Sequence, residues 1–102
     1  MVDAALKLEG EKTGEISEGI GAAIGGVGTE RYKIEEEATK FGIPVYAIVI
    51  KQSILEAVTT MKKEIAEAAE PVVEKITHLI QERTKEGELI IVAGIGNTAG
   101  IA

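Results

Sequence analysis

The segment at residues 43–50 constrains the fold of this 102-residue chain more than any other part. It is an uninterrupted apolar run, rich in β-branched residues, with no alternation of apolar and polar positions. A strand with one solvent-exposed face shows alternating apolar and polar residues, whereas a strand that is buried on both faces does not. The run therefore predicts a central strand in a mostly parallel sheet with helices on both faces, a three-layer α/β fold.

Periodicity and capping residues predict the other elements. Ser53 and Glu56 form the Ser-x-x-Glu pattern of a capping box, and Pro71 suits the first turn of a helix. Together these signals give strand, helices and strand, a right-handed βαβ crossover. In chain order, we expect strands at 2–6 and 15–17, a helix from Thr29 that stops at Gly42, helices at about 53–69 and 71–85 with Gly87 ending the second, and a strand at 89–93.

Composition narrows the class of partner. The length allows at most one domain, residues 1–102, and the net charge is −6 with aromatic residues at only 3%. Nucleic acid is a poor partner for such a chain, since phosphate contacts need clustered Lys and Arg. Cysteine is absent, so thiolate chemistry and disulfides are excluded. No apolar run approaches the ~20 residues of a membrane helix, and we expect no membrane contact by this segment.

Two glycine-rich stretches are candidates for a ligand-binding loop, the first at residues 19–28 (the first glycine loop) and the second at residues 94–100. Glycine is needed where the backbone takes positive φ or approaches a ligand closely. The second stretch follows a predicted strand and matches the G-x-G-x-x-G/A dinucleotide pattern. The alternatives are a plain tight turn for the second stretch and close helix–sheet packing for the first. The candidate nucleotide- or phosphate-binding residues are Gly25, Gly26, Gly28, Gly94, Gly96 and Asn97.

Three acidic residues are candidates for catalysis. Asp3, Glu18 and Glu56 lie at predicted strand ends or beside the first glycine loop. Carboxylates brought together can share a proton or hold a divalent metal, and Asp3 is the metal-ligand candidate. An acid beside a buried strand is costly unless it is paired or used, which favours Asp3. For Glu56 the capping box is a sufficient structural explanation.

Nearly the whole chain resembles an archaeal family, domain of unknown function 1512. The stretches that carry the resemblance are residues 7–14, 19–28, 59–64 and 92–98. Members of this family are longer, with a membrane segment near the amino end. The resemblance implies a carboxy-terminal piece of a cytoplasmic protein that is membrane-associated in its full length. Abundant Glu, Lys and Ile also fit a thermophile's composition.

A more distant resemblance links the chain to the spore germination protease and the hydrogenase maturation proteases. It rests on the order of residues 2–4, 13–18, the first glycine loop, 41–48 and 55–59, and on Gly94-Ile95-Gly96-Asn97. It implies a phosphorylase/hydrolase-like fold, with Asp3, Glu18 and Glu56 at positions of proposed catalytic acids. In the maturation proteases the acid matching Asp3 contributes to a metal site. The chain departs from the pattern in two acids, which are glutamates, and in the order of the Gly-x-Gly-Asn turn.

Three hypotheses about function follow. The first is a peptidase-like hydrolase in which Asp3 with Glu18 or Glu56 activates water, with or without a divalent metal. The second is a module that binds a nucleotide or phosphate through its glycine loops. The third is a homo-oligomeric assembly domain, because the predicted sheet is incomplete and its open edges need a partner.

Overall fold

The computed structural model describes residues 1–20 and 29–97. For residues 29–32, 96 and 97 it describes the backbone and not the side chains. Four strands and four helices alternate irregularly along this part of the chain. The elements are β1 (Val2–Leu6), β2 (Ile16–Ile20), α1 (Thr29–Lys40), β3 (Tyr46–Gln52), α2 (Ile54–Val58), α3 (Lys63–Glu67), α4 (Ala69–Arg83) and β4 (Gly94–Asn97).

The strands form a mixed sheet with the order β2-β3-β1-β4. Strand β1 is parallel to both β3 and β4, whereas β2 is antiparallel to β3 at one edge. The predicted α/β class is confirmed, but the sheet is not purely parallel. Because β2 and β3 run in opposite directions, the carboxyl end of β3 lies beside the amino end of β2. The three-layer and hydrolase-like details of the fold stay predictions.

The centre of the sheet is built from β1 and β3. Ala47, Ile48 and Val49 are buried, as the unbroken apolar run predicts. The strand begins at Tyr46 rather than at residue 43 and continues to Gln52. Pro44 cannot donate to a ladder, and Ile43 is exposed, so the start of the run lies outside the sheet. The prediction of a central strand holds, with its bounds shifted towards the carboxyl end.

The helical region divides at a place that the sequence pattern did not predict. The helix expected at 53–69 is instead two short helices. Thr59 has an extended backbone and ends α2, and Lys62 is the N-cap of α3. Pro71 lies in the first turn of α4, as predicted. Gly87 has a φ of 91°, but α4 already ends at Arg83, so Gly87 serves the following turn rather than the helix end.

The predicted strand at 89–93 is wrong. Leu89 is 91% exposed and Ile91 is 82% exposed, and β4 instead spans Gly94–Asn97. The reason is the position of β1, whose first residue pairs with Gly94. Just before that pair, the backbone nitrogen of Val2 donates to the Ala93 carbonyl at 2.8 Å. Residues 89–92 therefore extend beyond the start of the neighbouring strand.

No helix in the described part of the chain is long and apolar enough to cross a membrane.

Candidate functional site

Polar side chains gather where β1 and β3 end, which is the edge at which open α/β sheets bind ligands. The segment that follows β1 returns over this edge before entering β2. Its backbone is held there because Lys7 N donates to the Gln52 carbonyl and Gly14 N donates to the Lys51 carbonyl, both at 2.8 Å. We call the side chains at this edge the edge cluster, which consists of Lys7, Glu11, Thr13, Lys51, Ser53 and Glu56.

Glu56 is the most connected member of the edge cluster. Its carboxylate accepts the backbone N–H of Ser53 at 2.8 Å, and its own N–H donates to Ser53 Oγ at 3.1 Å, which confirms the predicted capping box. The hydroxyl of Thr13 lies 2.8 and 2.9 Å from the two carboxylate oxygens and donates to them. Lys7 Nζ in turn donates to Thr13 Oγ1 at 3.3 Å.

These contacts determine the charge state of Glu56. The backbone N–H of Ser53 lowers the pKa of the Glu56 carboxyl most, followed by the Thr13 hydroxyl, and burial opposes them. A carboxyl with a lowered pKa is ionised at neutral pH and is a weak base. Glu56 is therefore suited to holding the segment after β1 against α2, and poorly suited to carrying protons.

Lys51 is a charged residue that sequence reasoning missed. Its side chain is 2% exposed, and its Nζ lies 3.4 Å from Glu11 Oε2. The other carboxylate oxygen of Glu11 accepts the N–H of Leu8. That backbone N–H is the main reason for the lowered pKa of the Glu11 carboxyl, and the Lys51 ammonium adds to the effect. The available signal was position: Lys51 directly follows the apolar run in the middle of the sheet.

Asp3 lies inside β1 and is 2% exposed. It is paired with Val49, and Lys51 is paired with Ala5, so Asp3 and Lys51 lie on the same face of adjacent strands, two positions apart. Asp3 therefore lies within the strand predicted at 2–6 and is buried there. Asp3 and Lys51 are thus two buried charged residues on one face of the sheet, and Gln52 is a buried polar residue on the other face.

Glu18 lies on the opposite face of the sheet. It is paired with Ile48, which neighbours Val49 and therefore has the other orientation, and it forms an ion pair with Lys75 at 3.4 Å. Asp3 and Glu18 thus point away from each other, and Glu56 lies beyond the carboxyl edge. Among residues 1–20 and 29–97, no three acidic or histidine side chains are placed to hold a metal ion. The catalytic and metal-binding roles of the three acids stay a prediction.

The predicted glycine sites are described only in part. Gly25, Gly26 and Gly28 lie outside the described residues, as do positions 98 and 99 of the dinucleotide pattern. Gly94, Gly96 and Asn97 belong to β4 and pair with β1, where the sequence pattern predicts a turn after a strand. The secondary structure at these three residues therefore differs from that of a dinucleotide-binding loop, whose glycines follow the strand.

The fold and this edge define an α/β domain with a mixed sheet, a buried Asp and Lys on one face, and a tightly bonded polar cluster at one edge. The chain belongs to the family described as domain of unknown function (DUF1512), C-terminal, whose model matches residues 1–102. Comparison with curated proteins and with solved structures gave no match.

Proposed function

We propose that this chain is a homo-oligomeric assembly domain that joins a second copy through β4. The observation that carries the proposal is the apolar segment Leu89–Val92, which is exposed and runs directly into β4, an edge strand of the sheet formed by residues 1–20 and 29–97. Isolated exposed apolar residues are ordinary, but a contiguous apolar segment next to the open edge of a strand is typical of an interaction surface. We call Leu89–Val92 the apolar segment.

The charge distribution supports this proposal. Asp, Glu, Lys and Arg make up 27% of the chain, yet residues 89–102 contain none of them. Edge strands of monomeric proteins are commonly protected by charged side chains, especially Lys. The edge strand β2 carries a charged side chain, Glu18, paired with Lys75, which disfavours pairing of this strand with a second copy of the acidic chain. Strand β4 does not, so two copies with a net charge of −6 each can meet there without bringing like charges together.

A two-fold axis is the arrangement that such an edge favours. Antiparallel pairing of β4 with the same strand of a second copy places one residue opposite a second and the second opposite the first, so that a residue meets its own copy only at the two-fold axis, and it closes the assembly at two chains. The two sheets then continue into one, and the apolar segments lie at the ends of the new strand pair. Pairing of β4 with β2 of another copy would instead propagate without closing.

The arrangement of the three acids gives the hydrolase hypothesis less support. Asp3 and Glu18 lie on opposite faces of the sheet, and the Glu56 carboxylate already accepts hydrogen bonds from Ser53 and Thr13. A shared proton or metal needs carboxylates within a few ångströms of one another. The assembly proposal needs no such convergence.

Sedimentation equilibrium tests the proposal with two lysine substitutions. Ile91→Lys places a charge in the apolar segment, whereas Val58→Lys places one at an exposed apolar residue of α2. We expect wild type and Val58→Lys to have the mass of a dimer at micromolar concentration and Ile91→Lys to have the mass of a monomer. A wild-type monomer at several hundred micromolar, or equal dimerisation of both variants, would overturn the proposal.

A further inference from the structure

A groove of about 510 Å³ separates β2 from α4 on the face of the sheet opposite to Asp3. Three residues of β2 form one side of it, Glu18, Gly19 and Ile20. Helix α4 forms the other side from Pro71 to Arg83, and Tyr46 lies between them. The volume is within the range of sites that hold small ligands or a few side chains.

The outer backbone groups of β2 point away from β3, in the plane of the sheet. Ile48 N donates to the Met1 carbonyl at 2.9 Å, and the Tyr46 carbonyl accepts the amino group of Met1 at 2.6 Å. Both residues of β3 thus direct their backbone groups towards β1. Their partners across the antiparallel ladder are Glu18 and Ile20, which therefore direct their own N–H and C=O groups away from β3. In the described sheet β2 is an edge, so these groups are available to another strand.

The side chains of the groove combine an apolar floor with a charged rim. Ile20, Tyr46 and Leu79 supply apolar surface. The Arg83 guanidinium lies 5.8 Å from the centroid of the Tyr46 ring, and His78 Nε2 lies 2.8 Å from Glu82 Oε1. The rim carries three carboxylates, on Glu18, Glu74 and Glu82, against two permanent cations, on Lys75 and Arg83. This excess of negative charge favours a basic ligand.

We propose that this groove binds an extended peptide segment of a partner protein, with alternating apolar and basic residues, as an added strand along β2. Main-chain hydrogen bonds to Glu18 and Ile20 supply affinity, and alternate side chains enter the groove and supply specificity. Because successive side chains of a strand point to opposite faces, the basic side chains are the ones that enter the groove, where their aliphatic stems pack on the floor and their charged ends meet the rim, and the apolar side chains lie on the other face of the sheet. This site lies at the edge of the sheet opposite to β4, so an experiment can disprove peptide binding without disproving the assembly proposal, and the reverse.

Amide hydrogen exchange tests the proposal directly. The probe is an octapeptide of alternating lysine and valine with blocked ends, added to the full chain at physiological ionic strength. We expect the peptide to slow exchange at the Glu18 and Ile20 amides at least tenfold. The Ser17 and Gly19 amides, which face β3, serve as internal controls and change little.

Two matched peptides separate strand addition from charge attraction. The same octapeptide, N-methylated at alternate residues on its pairing edge, keeps its charge but loses its main-chain donors. An octapeptide of alternating glutamate and valine keeps the donors but reverses the charge. We expect at least tenfold weaker binding of both. Equal binding of the N-methylated peptide would overturn the proposal, and so would slow exchange of Glu18 and Ile20 in the free protein that increases with protein concentration, because a second copy would then cover this edge.

A protein variant completes the test. Ile20→Pro removes a single N–H, which points outward, and edge strands accept proline at such positions. Ile20→Val keeps the N–H and the β-branched side chain. We expect Ile20→Pro to reduce binding of the lysine–valine peptide at least fivefold and Ile20→Val to leave it within twofold. If both variants bind like wild type while the β2 ladder stays protected, the peptide does not add along β2.

Discussion

Glu56 joins two parts of the chain that are 43 positions apart, because Thr13 donates to a carboxylate that also caps α2. The sequence alone identifies the cap, since Ser53 and Glu56 have the required spacing. It does not identify Thr13 or Lys7 as partners, because their positions depend on the return of the chain over the sheet edge. At the scale of single residues, the sequence therefore predicts contacts between near neighbours in the chain but not contacts between distant segments.

The pH dependence of stability tests the role of Glu56. The pKa of this carboxyl is lowered in the folded protein, so its contribution is present above the pKa of an ordinary glutamate, about 4.3, and is lost as pH falls through the folded value. We expect Glu56→Gln to reduce the free energy of unfolding at pH 7 and to matter much less at pH 3, as measured by urea unfolding at both. An equal loss at the two pH values would show that the charge is not what stabilises the fold.

Gly14 gives a test of close packing between segments. Its φ is 83°, and a Cβ at this residue would lie 2.6 Å from the backbone oxygen of Glu64. Gly10 has a similar φ of 89° but open space around it, so it is a matched control. We expect Gly10→Ala to cost about 1 kcal/mol from backbone strain, and Gly14→Ala about 2–4 kcal/mol from strain plus overlap. Equal unfolding free energies for the two variants would contradict the contact with Glu64.

At the scale of elements, the sequence predicts those whose signals are local and misses those that depend on a neighbour. The strand β1, the central strand, the capping box of α2 and the first turn of α4 come from residue types alone. The break between α2 and α3 and the true start of β4 do not. Residues 89–93 have the composition of a buried strand, but β1 begins opposite Gly94 and leaves residues 89–92 without a partner. The buried Lys51 was missed for the same reason, since its burial depends on the segment that folds over it.

The ion pair of Lys51 and Glu11 connects the segment between β1 and β2 to β3. Neutral substitution of its two members should change the free energy of unfolding by different amounts. Glu11→Gln keeps an acceptor for Leu8 N but leaves the Lys51 ammonium buried without its carboxylate. Lys51→Met made together with Asp3→Asn removes both buried charged groups of this face and keeps side chains of similar length. Because an uncompensated buried charge costs more than a lost pair, we expect Glu11→Gln to lower the free energy of unfolding more than the double substitution does. Thermal and urea unfolding check the order, and the reverse order would contradict the account of this pair.

At the scale of the whole molecule, charge is distributed unevenly. A chain with a net charge of −6 ends in fourteen residues without a charged side chain, 89–102, and this region contains both the apolar segment and β4. The opposite edge of the sheet is lined by charged groups and borders the groove. The two edges therefore have different chemistry, which favours self-association at β4 and capture of a peptide at β2.

Single-cysteine cross-linking is the most direct test of assembly through β4, because the natural chain contains no cysteine. In a two-fold pair a residue meets its own copy only at the axis, so Gly94→Cys, Ile95→Cys, Gly96→Cys and Asn97→Cys are each tested to sample every position of β4, and Ser17→Cys in β2 is the control. A disulfide forms only when the two Cβ atoms come within about 3.5–4.5 Å. We predict rapid oxidation to a covalent dimer for at least one β4 variant, and none for Ser17→Cys. Cross-linking of none of the four β4 variants, or equal cross-linking of the β2 control, would contradict the proposed assembly.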